Sequence, residues 1–439
     1  MKHLLWLAVG VLAGCPGSSG RPVQEKSPAD VQAIARAADI RSADSDWPWW
    51  RGADRNGHAL AGLAFEPTKI SDHLRWRSPV PGRGHASPVV WGNKIFVATA
   101  DEAQQTQALF CFDRDGGSQL WNTELHRGGF MKKHNKNSHA SATPACDGQH
   151  VFCVSMIQQA LWATAVDMDG KIVWQKRLGD FRPKHGYGSS PVLYKSLVIV
   201  AGDNRGPGYL VALDRDSGEV VWRKGRPAGD SYGTPVIAKV AGREQLLLSG
   251  REQVASYDPA SGRLLWRCEG ISSVTANTMA WHEDLVLGST GYPDNVVMCV
   301  RADGSGDVSA THVMWKKNFR MYVASAVVVD DLFLIVRDDG VALVLEPATG
   351  KSVWQKRLGG AFSASPTAAG DTVYVPNEEG RLFLLTASAP FRILGSHDLG
   401  EAVFASPVIC DGQLFVRGEH HLFCFGPPRA AAAVSNDHG

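Results

Sequence analysis

Imidazole and thiol side chains carry most of the chemistry open to this chain, and their spacing limits what that chemistry can be. His134 and His139 share the loop HRGGFMKKHNKNSHAS, His126 to Ser141, with no cysteine or carboxylate at ligand spacing for a transition metal. His420 and His421 are adjacent in an expected strand, so they point to opposite faces and cannot chelate one ion together. The sequence has no P-loop or HExxH motif, and RGADRNG lacks the strand-to-helix context of a phosphate loop. Cys111, Cys146, Cys153, Cys268, Cys299, Cys410 and Cys424 are odd in number and irregularly spaced, with no CxxC, so they form no disulfide framework. Cys111, Cys299 and Cys424 stand in the apolar contexts LFCFD, VMCVR and LFCFG and read as small buried hydrophobes. No metal site is expected.

Cys15 is different. Lys2 and His3 precede an apolar run, Leu4 to Ala13, that is too short to span a bilayer. The run ends in Leu12-Ala13-Gly14-Cys15, which resembles the bacterial lipobox, where the cysteine becomes the lipidated first residue. The alternative is an ordinary cleaved secretory signal. Acyl chains hold a protein at a membrane surface with about 0.8 kcal/mol per buried methylene. Residues 1–15 are thus expected to be a lipoprotein signal, and 16–45, rich in Pro, Gly and Ser at its start, a disordered tether. Over the 439 residues, 44% hydrophobic and 20% charged content reads as globular, and a net charge of +1 gives no reason to expect nucleic acid.

The elements that would position any site are repeats. FDRDGGSQLW ends at Trp121, VDMDGKIVW at Trp174, LDRDSGEVVW at Trp222, YDPASGRLLW at Trp266 and LEPATGKSVW at Trp354. Each has glycine four residues before the tryptophan. A copy ending at Trp315 carries an insertion, and LTASAPFRILG keeps only Leu394 in the aromatic slot. Upstream of each lies a pair of apolar runs around a turn, such as SPVVWGNKIFVAT, with proline at the strand head. The tryptophans recur at intervals of 39 to 53 residues, the period of a four-stranded propeller blade. The final segment, Ala405 to Phe425, supplies only three strands, and HLRWRSP with Trp76 supplies the fourth. The spacing therefore predicts an all-β, eight-bladed propeller over 73–425, closed by pairing an N-terminal strand with the last blade. Residues 426–439 are expected to be a disordered tail.

With these motifs the chain resembles the PQQ-like, or quinoprotein-type, β-propeller repeat family, whose repeat reads A-x-D-x-x-T-G-x-x-x-W. ALDRDSGEVVW, Ala212 to Trp222, and LEPATGKSVW carry the match. One branch of that family comprises PQQ-dependent dehydrogenases, which hold calcium through a Glu and an Asn and often set an adjacent-cysteine disulfide against the quinone. This chain has no adjacent cysteines, and Asp203-Asn204 is a candidate by composition that is equally a turn. PQQ with calcium is expected only under that reading. The other branch, BamB-like envelope lipoproteins, implies a monomeric, non-catalytic propeller without cofactor. It would be anchored at the outer membrane, face the periplasm, bind envelope proteins or a peptide segment, and serve outer-membrane protein assembly. A carbohydrate- or peptide-binding propeller is the third reading. DWPWWRGADRNGHA resembles a leader found before such propellers; in it Trp47, Trp49 and Trp50, part of 46–72, are expected to pack on the outside or rim of the ring or to form a partner surface.

Just before each innermost strand stands a bulky residue: His85, His139, Tyr187, Tyr232, Asn277, Tyr322, Phe362 and Phe404. They are expected to ring the channel mouth, either as a plug or as a binding funnel for a peptide or glycan. Arg127, Lys132, Lys133 and Lys136 make the longest of these loops basic, and Arg182, Lys184 and Arg320 fall in equivalent loops. An anionic partner would suit them, although charge runs are ordinarily solvated. Replacing Cys15 by Ala should move the protein from membrane to soluble fractions with an unchanged melting curve. Retention of the variant on membranes in high salt would contradict lipidation.

Overall fold

The aspartate that opens each outer turn bonds its own backbone, as the spacing predicts. Asp113 Oδ1 accepts from the Gly116 N–H at 2.6 Å, and Asp214 Oδ1 from the Ser217 N–H at 2.9 Å. The computed structural model describes residues 27–427. Gly218 ends its turn at φ +69°, and a Cβ there would lie 2.7 Å from the indole of Trp174 in the preceding blade. Glycine is needed for the backbone angle and again for the ring lying against it. Trp174 then donates its Nε1–H to Arg215 O at 2.9 Å, and Trp121 and Trp315 donate likewise to Met168 O and Pro347 O. Each of these tryptophans joins two blades. Opposite the indoles, the paired strand carries small residues: Cys111 faces Trp121, Cys299 faces Trp315 and Cys424 faces Trp76. All three thiols are free and buried, the packing role their contexts suggested.

Eight sheets result, and the expected all-β, eight-bladed propeller is the observed fold. Blades 1 to 7 occupy 89–127, 145–180, 192–226, 236–269, 280–317, 327–357 and 367–398, with strands A to D running outward from the channel. Blade 8 takes strands A to C from Val408–Cys410, Gln413–Arg417 and His421–Phe425. Its strand D is Leu74–Pro79, antiparallel to His421–Phe425 with Trp76 opposite Cys424. Arg114 of blade 1, fully buried, clasps this seam by donating to Gln413 Oε1 and Cys410 O, each at 3.1 Å.

The structure shifts several placements. The blade 5 insertion adds Gly306–Asp307 as a fifth strand parallel to the outer strand of blade 4. Trp266 in that outer strand is fully buried and turns its Nε1–H to Gln245 Oε1 at 2.8 Å. In blade 7 the aromatic slot falls on Gly395, opposite Leu384, and Leu394 sits one residue earlier in the bulge. Without the Gly–Trp spacing, nothing in the sequence marks that register. Ile70, 1% exposed in the 3-10 turn Pro67–His73, packs into the core shared by blades 7 and 8. Inside the segment expected to be a tether, α1 (Pro28–Arg36) is N-capped by Ser27 and lays Val31 and Ile34 against the core of blades 3 and 4. Cys15 lies outside the described residues.

Residues 46–64, expected on the outside or rim, instead fill the central channel. Trp47 pairs with Val90 of blade 1, and Pro48 O accepts from the Cys146 N–H of blade 2 at 2.7 Å. On the return, Ala59 N–H donates to Ala368 O of blade 7 at 2.8 Å and Ala64 N–H to Gly412 O of blade 8 at 3.0 Å. Trp47 and Trp49 are 3% and 5% exposed. His58 donates from Nδ1 to Asp54 at 2.5 Å and from Nε2 to Val328 O of blade 6 at 2.6 Å, a pair of acceptors that calls for the imidazolium. Burial alone would lower the His58 pKa, but the Asp54 carboxylate and the Val328 carbonyl outweigh it and raise it.

Above this segment a belt of buried hydroxyls joins the blades at the heads of strands A. Ser87 N–H donates to Thr143 Oγ1 at 3.0 Å, Thr143 N–H to Ser190 Oγ at 2.9 Å and Ser190 N–H to Thr234 Oγ1 at 2.9 Å. Thr278 N–H donates to Ser325 Oγ, Ser325 N–H to Ser365 Oγ and Ser365 N–H to Ser406 Oγ, at 2.8 to 2.9 Å. Ser406 N–H returns to Ser87 Oγ at 3.1 Å across the closure seam. Thr278 Oγ1 accepts instead from the Trp50 indole at 2.8 Å. Ser190→Ala would leave the Thr143 N–H buried without its acceptor, at a cost of ~1–3 kcal/mol in denaturant unfolding. A change near zero would show the belt to be incidental.

Candidate functional site

The belt and the tip of the inserted segment form the floor of a funnel. Its walls are the loops that enter strand A and those that join strands B and C. The cavity holds about 560 Å³ and is lined by Trp50 below and by His85, Tyr232, Tyr322, Phe362 and Phe404 around it. His85 stacks on Phe404 with ring centroids 4.3 Å apart. Burial, helped by the charges of Arg83, Arg417 and Lys133, pushes the His85 pKa down to about 3, so this imidazole is neutral.

Three of the eight expected ring residues do not line the cavity. His139 stacks on Phe130 at 4.0 Å. Tyr187 is 6% exposed, edge-on to Phe181, and its hydroxyl donates to Ala201 O at 3.0 Å. Asn277 is 2% exposed and donates to Met321 O at 3.0 Å. The offset from the belt hydroxyl separates two of the three: the lining residues stand two or three residues before it, whereas Asn277 stands one before and His139 four. Tyr187 stands three before, as Tyr322 and Phe362 do, and is turned inward instead against Phe181. At blade 3, His185 takes the funnel position that Tyr187 leaves. Trp50, expected on the rim or in a partner surface, is the funnel floor, and the belt has no counterpart in the sequence expectations, although the recurring Ser-Pro and Thr-Pro dipeptides marked its positions.

The basic loop is folded over the funnel and ion-paired. Lys136 bonds Glu378 of blade 7 at 2.9 Å, Lys133 bonds Glu102 at 2.9 Å, and Arg127 pairs with Glu124. Lys132 is exposed. Arg83 holds the loop by donating to the Asn135 and Asn137 carbonyls at 3.2 Å. Arg320 pairs with Asp338 at 2.8 Å, and Arg337 with Asp339 at 2.5 Å. All three carboxylates on the funnel wall, Asp338, Asp339 and Glu378, therefore have their own cation.

Asp203 and Asn204 do not fit a calcium ligand pair. Both oxygens of the buried Asp203 receive the Arg226 guanidinium, at 2.6 and 2.9 Å, and Arg226 also donates to the Tyr257 hydroxyl at 2.6 Å. Burial opposes the charge on Arg226, but Asp203 and Tyr257 outweigh it and raise the pKa. Asn204 Oδ1 accepts from the Gly206 N–H at 2.8 Å, and its Nδ2 donates to Gly202 O at 2.8 Å. Among the described residues no three His, Cys, Asp or Glu side chains converge on a point that could hold a metal. No helix among them is long and apolar enough to cross a membrane.

Blades joined by Gly–Trp contacts and closed by an N-terminal strand define a propeller of the quinoprotein type. The chain belongs to the family described as outer membrane protein assembly factor BamB, whose profile matches residues 64–310 and 305–389. It is 23% identical over 360 residues to the outer membrane protein assembly factor BamB of Yersinia pestis, covering 80% of this chain and 76% of that protein. It is 21% identical over 344 residues to the tetrathionate hydrolase of Acidithiobacillus ferrooxidans, covering 72% and 67%. The solved structure of a quinohemoprotein alcohol dehydrogenase from Comamonas testosteroni shares the fold at 13% identity, with a TM-score of 0.65 over 92% of this chain and 85% of that one.

Core and funnel residues should separate in mutagenesis. Tyr187→Ala and Trp222→Ala remove buried rings and should each cost ~3–5 kcal/mol. Tyr322→Ala, at the half-exposed wall, should cost under about 1.5 kcal/mol. Equal losses for all three in urea unfolding would make the funnel wall part of the core.

Proposed function

We propose that the protein is a non-catalytic binding propeller of the bacterial cell envelope, held to a membrane through Cys15, that presents its funnel mouth to envelope proteins during outer-membrane protein assembly. The observation that carries this reading is the funnel itself within a BamB-family chain. Aromatic walls face solvent, the floor is sealed by Trp50, and the charged wall groups are spent on one another, an arrangement suited to recognition.

The position of α1 supports the anchoring geometry. Lys195, in the A–B turn of blade 3, donates to Ala35 O, which places α1 on the face opposite the funnel. A tether leaving that face keeps the mouth free. A photo-crosslinking side chain at Lys132 or Phe404, on the funnel side, should trap an envelope protein in intact cells, whereas one at the exposed Leu120 on the outer strand of blade 1 should not. Crosslinks from Leu120 alone would move the partner surface to the blade edges. Dye-linked alcohol oxidation by the purified protein given PQQ and calcium would replace this reading with an enzymatic one.

A further inference from the structure

The chemistry of the funnel narrows what it can hold, taking as given the reading that the funnel is a recognition site. Its floor is the Trp50 ring, partly exposed and fixed by its bond to Thr278 Oγ1 at 2.8 Å. Apart from the ion-paired Lys136, Arg320, Asp338, Asp339 and Glu378, its wall side chains are aromatic, aliphatic or polar. The Tyr232 side chain is 9% exposed, and its hydroxyl, beside the His185 backbone N–H, makes no hydrogen bond of good geometry. His85 Nε2 is likewise buried without a partner. Buried polar atoms left unpaired are costly, so both favour a ligand that brings hydrogen-bonding groups of its own.

Charge works against an ionic ligand. Lys136 and Arg320, the lysine and arginine on the wall, are each 2.8 to 2.9 Å from a carboxylate, and Asp339 is held by Arg337. An anion or a cation would have to break one of these pairs to be neutralised. The belt adds to the neutral character. Each of its hydroxyls accepts an N–H through a lone pair, from the backbone in seven blades and from the Trp50 indole at Thr278, which leaves the O–H proton to donate elsewhere. Those same bonds consume the N–H groups at the heads of seven of the eight strands A, and residues 46–64 cover the strands below. A peptide therefore finds no open strand edge to extend.

We propose that the funnel binds a short neutral oligosaccharide, with one sugar face stacked on Trp50 or on the Tyr322 and Phe404 walls and its hydroxyls bonded to Tyr232, His85 and the belt. A cavity of 560 Å³ lies within the ~300–1,000 Å³ range of small-ligand sites. Stacking uses the apolar face of the sugar, and the ring of neutral donors and acceptors takes its edge.

The test titrates the full-length protein calorimetrically with cellotriose, maltotriose and tri-N-acetylchitotriose, and in a parallel arm with the uncharged, N-acetylated and C-amidated peptide Gly-Phe-Ser-Gly-Phe-Ser. At least one trisaccharide should bind, with a change in tryptophan fluorescence and little difference between low and high salt. Tyr322→Ala and Phe404→Ala should each weaken it about tenfold or more while the fold is retained by circular dichroism. Saturable binding of the peptide with none of the sugars overturns the proposal, as does silence from all the sugars or sugar binding that neither variant weakens. The wild-type protein is titrated first, so the proposal can fail on sugar binding alone, whether or not a variant folds. Should the sugars fail while crosslinks from Phe404 still trap an envelope protein, the funnel remains a recognition surface and only its ligand class is wrong.

Discussion

A ring of eight blades has to close on itself, and the junction at the channel is where closure is most constrained. Each sheet satisfies its own backbone internally, so the joints between sheets need separate bonds. The hydroxyl belt supplies them: in seven of the eight blades a Ser or Thr accepts the N–H of its neighbour, Thr278 accepts the Trp50 indole instead, and Ser406 to Ser87 bridges the two ends of the chain. The proline that follows most of these residues lacks an N–H and so makes no competing demand. Farther out, Gly–Trp contacts repeat the same logic with packing in place of hydrogen bonds. The strand Leu74–Pro79 can complete blade 8 because both inner and outer joints fix where its neighbours stand.

Closure by itself would leave an open channel. Residues 46–64 turn that channel into a blind funnel, and they do so with backbone and side-chain bonds to the innermost strands of several blades. Arg51 donates to Ala326 O of blade 6, Arg55 to Leu193 O of blade 3 at 2.9 Å and Asn56 to Trp281 O of blade 5 at 2.9 Å. The tryptophans of this leader are therefore core residues on one side, and at Trp50 a floor on the other. The segment that seals the channel is continuous with the strand that closes the ring, so one stretch of chain does both.

On the funnel face the loops are tied across the mouth. Lys136, carried by the loop between blades 1 and 2, reaches Glu378 of blade 7. Such pairs at the surface contribute about 0–1 kcal/mol each. Their effect lies in charge balance and in holding the loop, and the recognition chemistry is left to aromatic and neutral polar groups.

The sequence by itself determined the class of fold, the blade count and the closing strand. Those features rest on local patterns: an aspartate-led turn, a glycine that must take positive φ, and an indole four residues on. Repetition made each pattern legible even where one copy had lost it, although the aromatic slot of that copy, at Gly395, lies one residue beyond the expected Leu394. The belt positions were visible as Ser-Pro and Thr-Pro, but their function was not, because each hydroxyl meets its partner only across a blade junction. Only the tertiary structure decided where the leader goes, since Trp47, Trp49 and Trp50 bury equally well on an outer rim or in a channel. It also decided which of the eight ring residues face the cavity. Offsets from the belt set Asn277 and His139 apart, but Tyr187 shares the offset of Tyr322 and Phe362 and still turns inward, because a side chain's direction at the end of a loop is set by its packing neighbours. Asp203 shows the same limit: its charge and position resemble a ligand until Arg226, from a strand not adjacent in sequence, takes both of its oxygens.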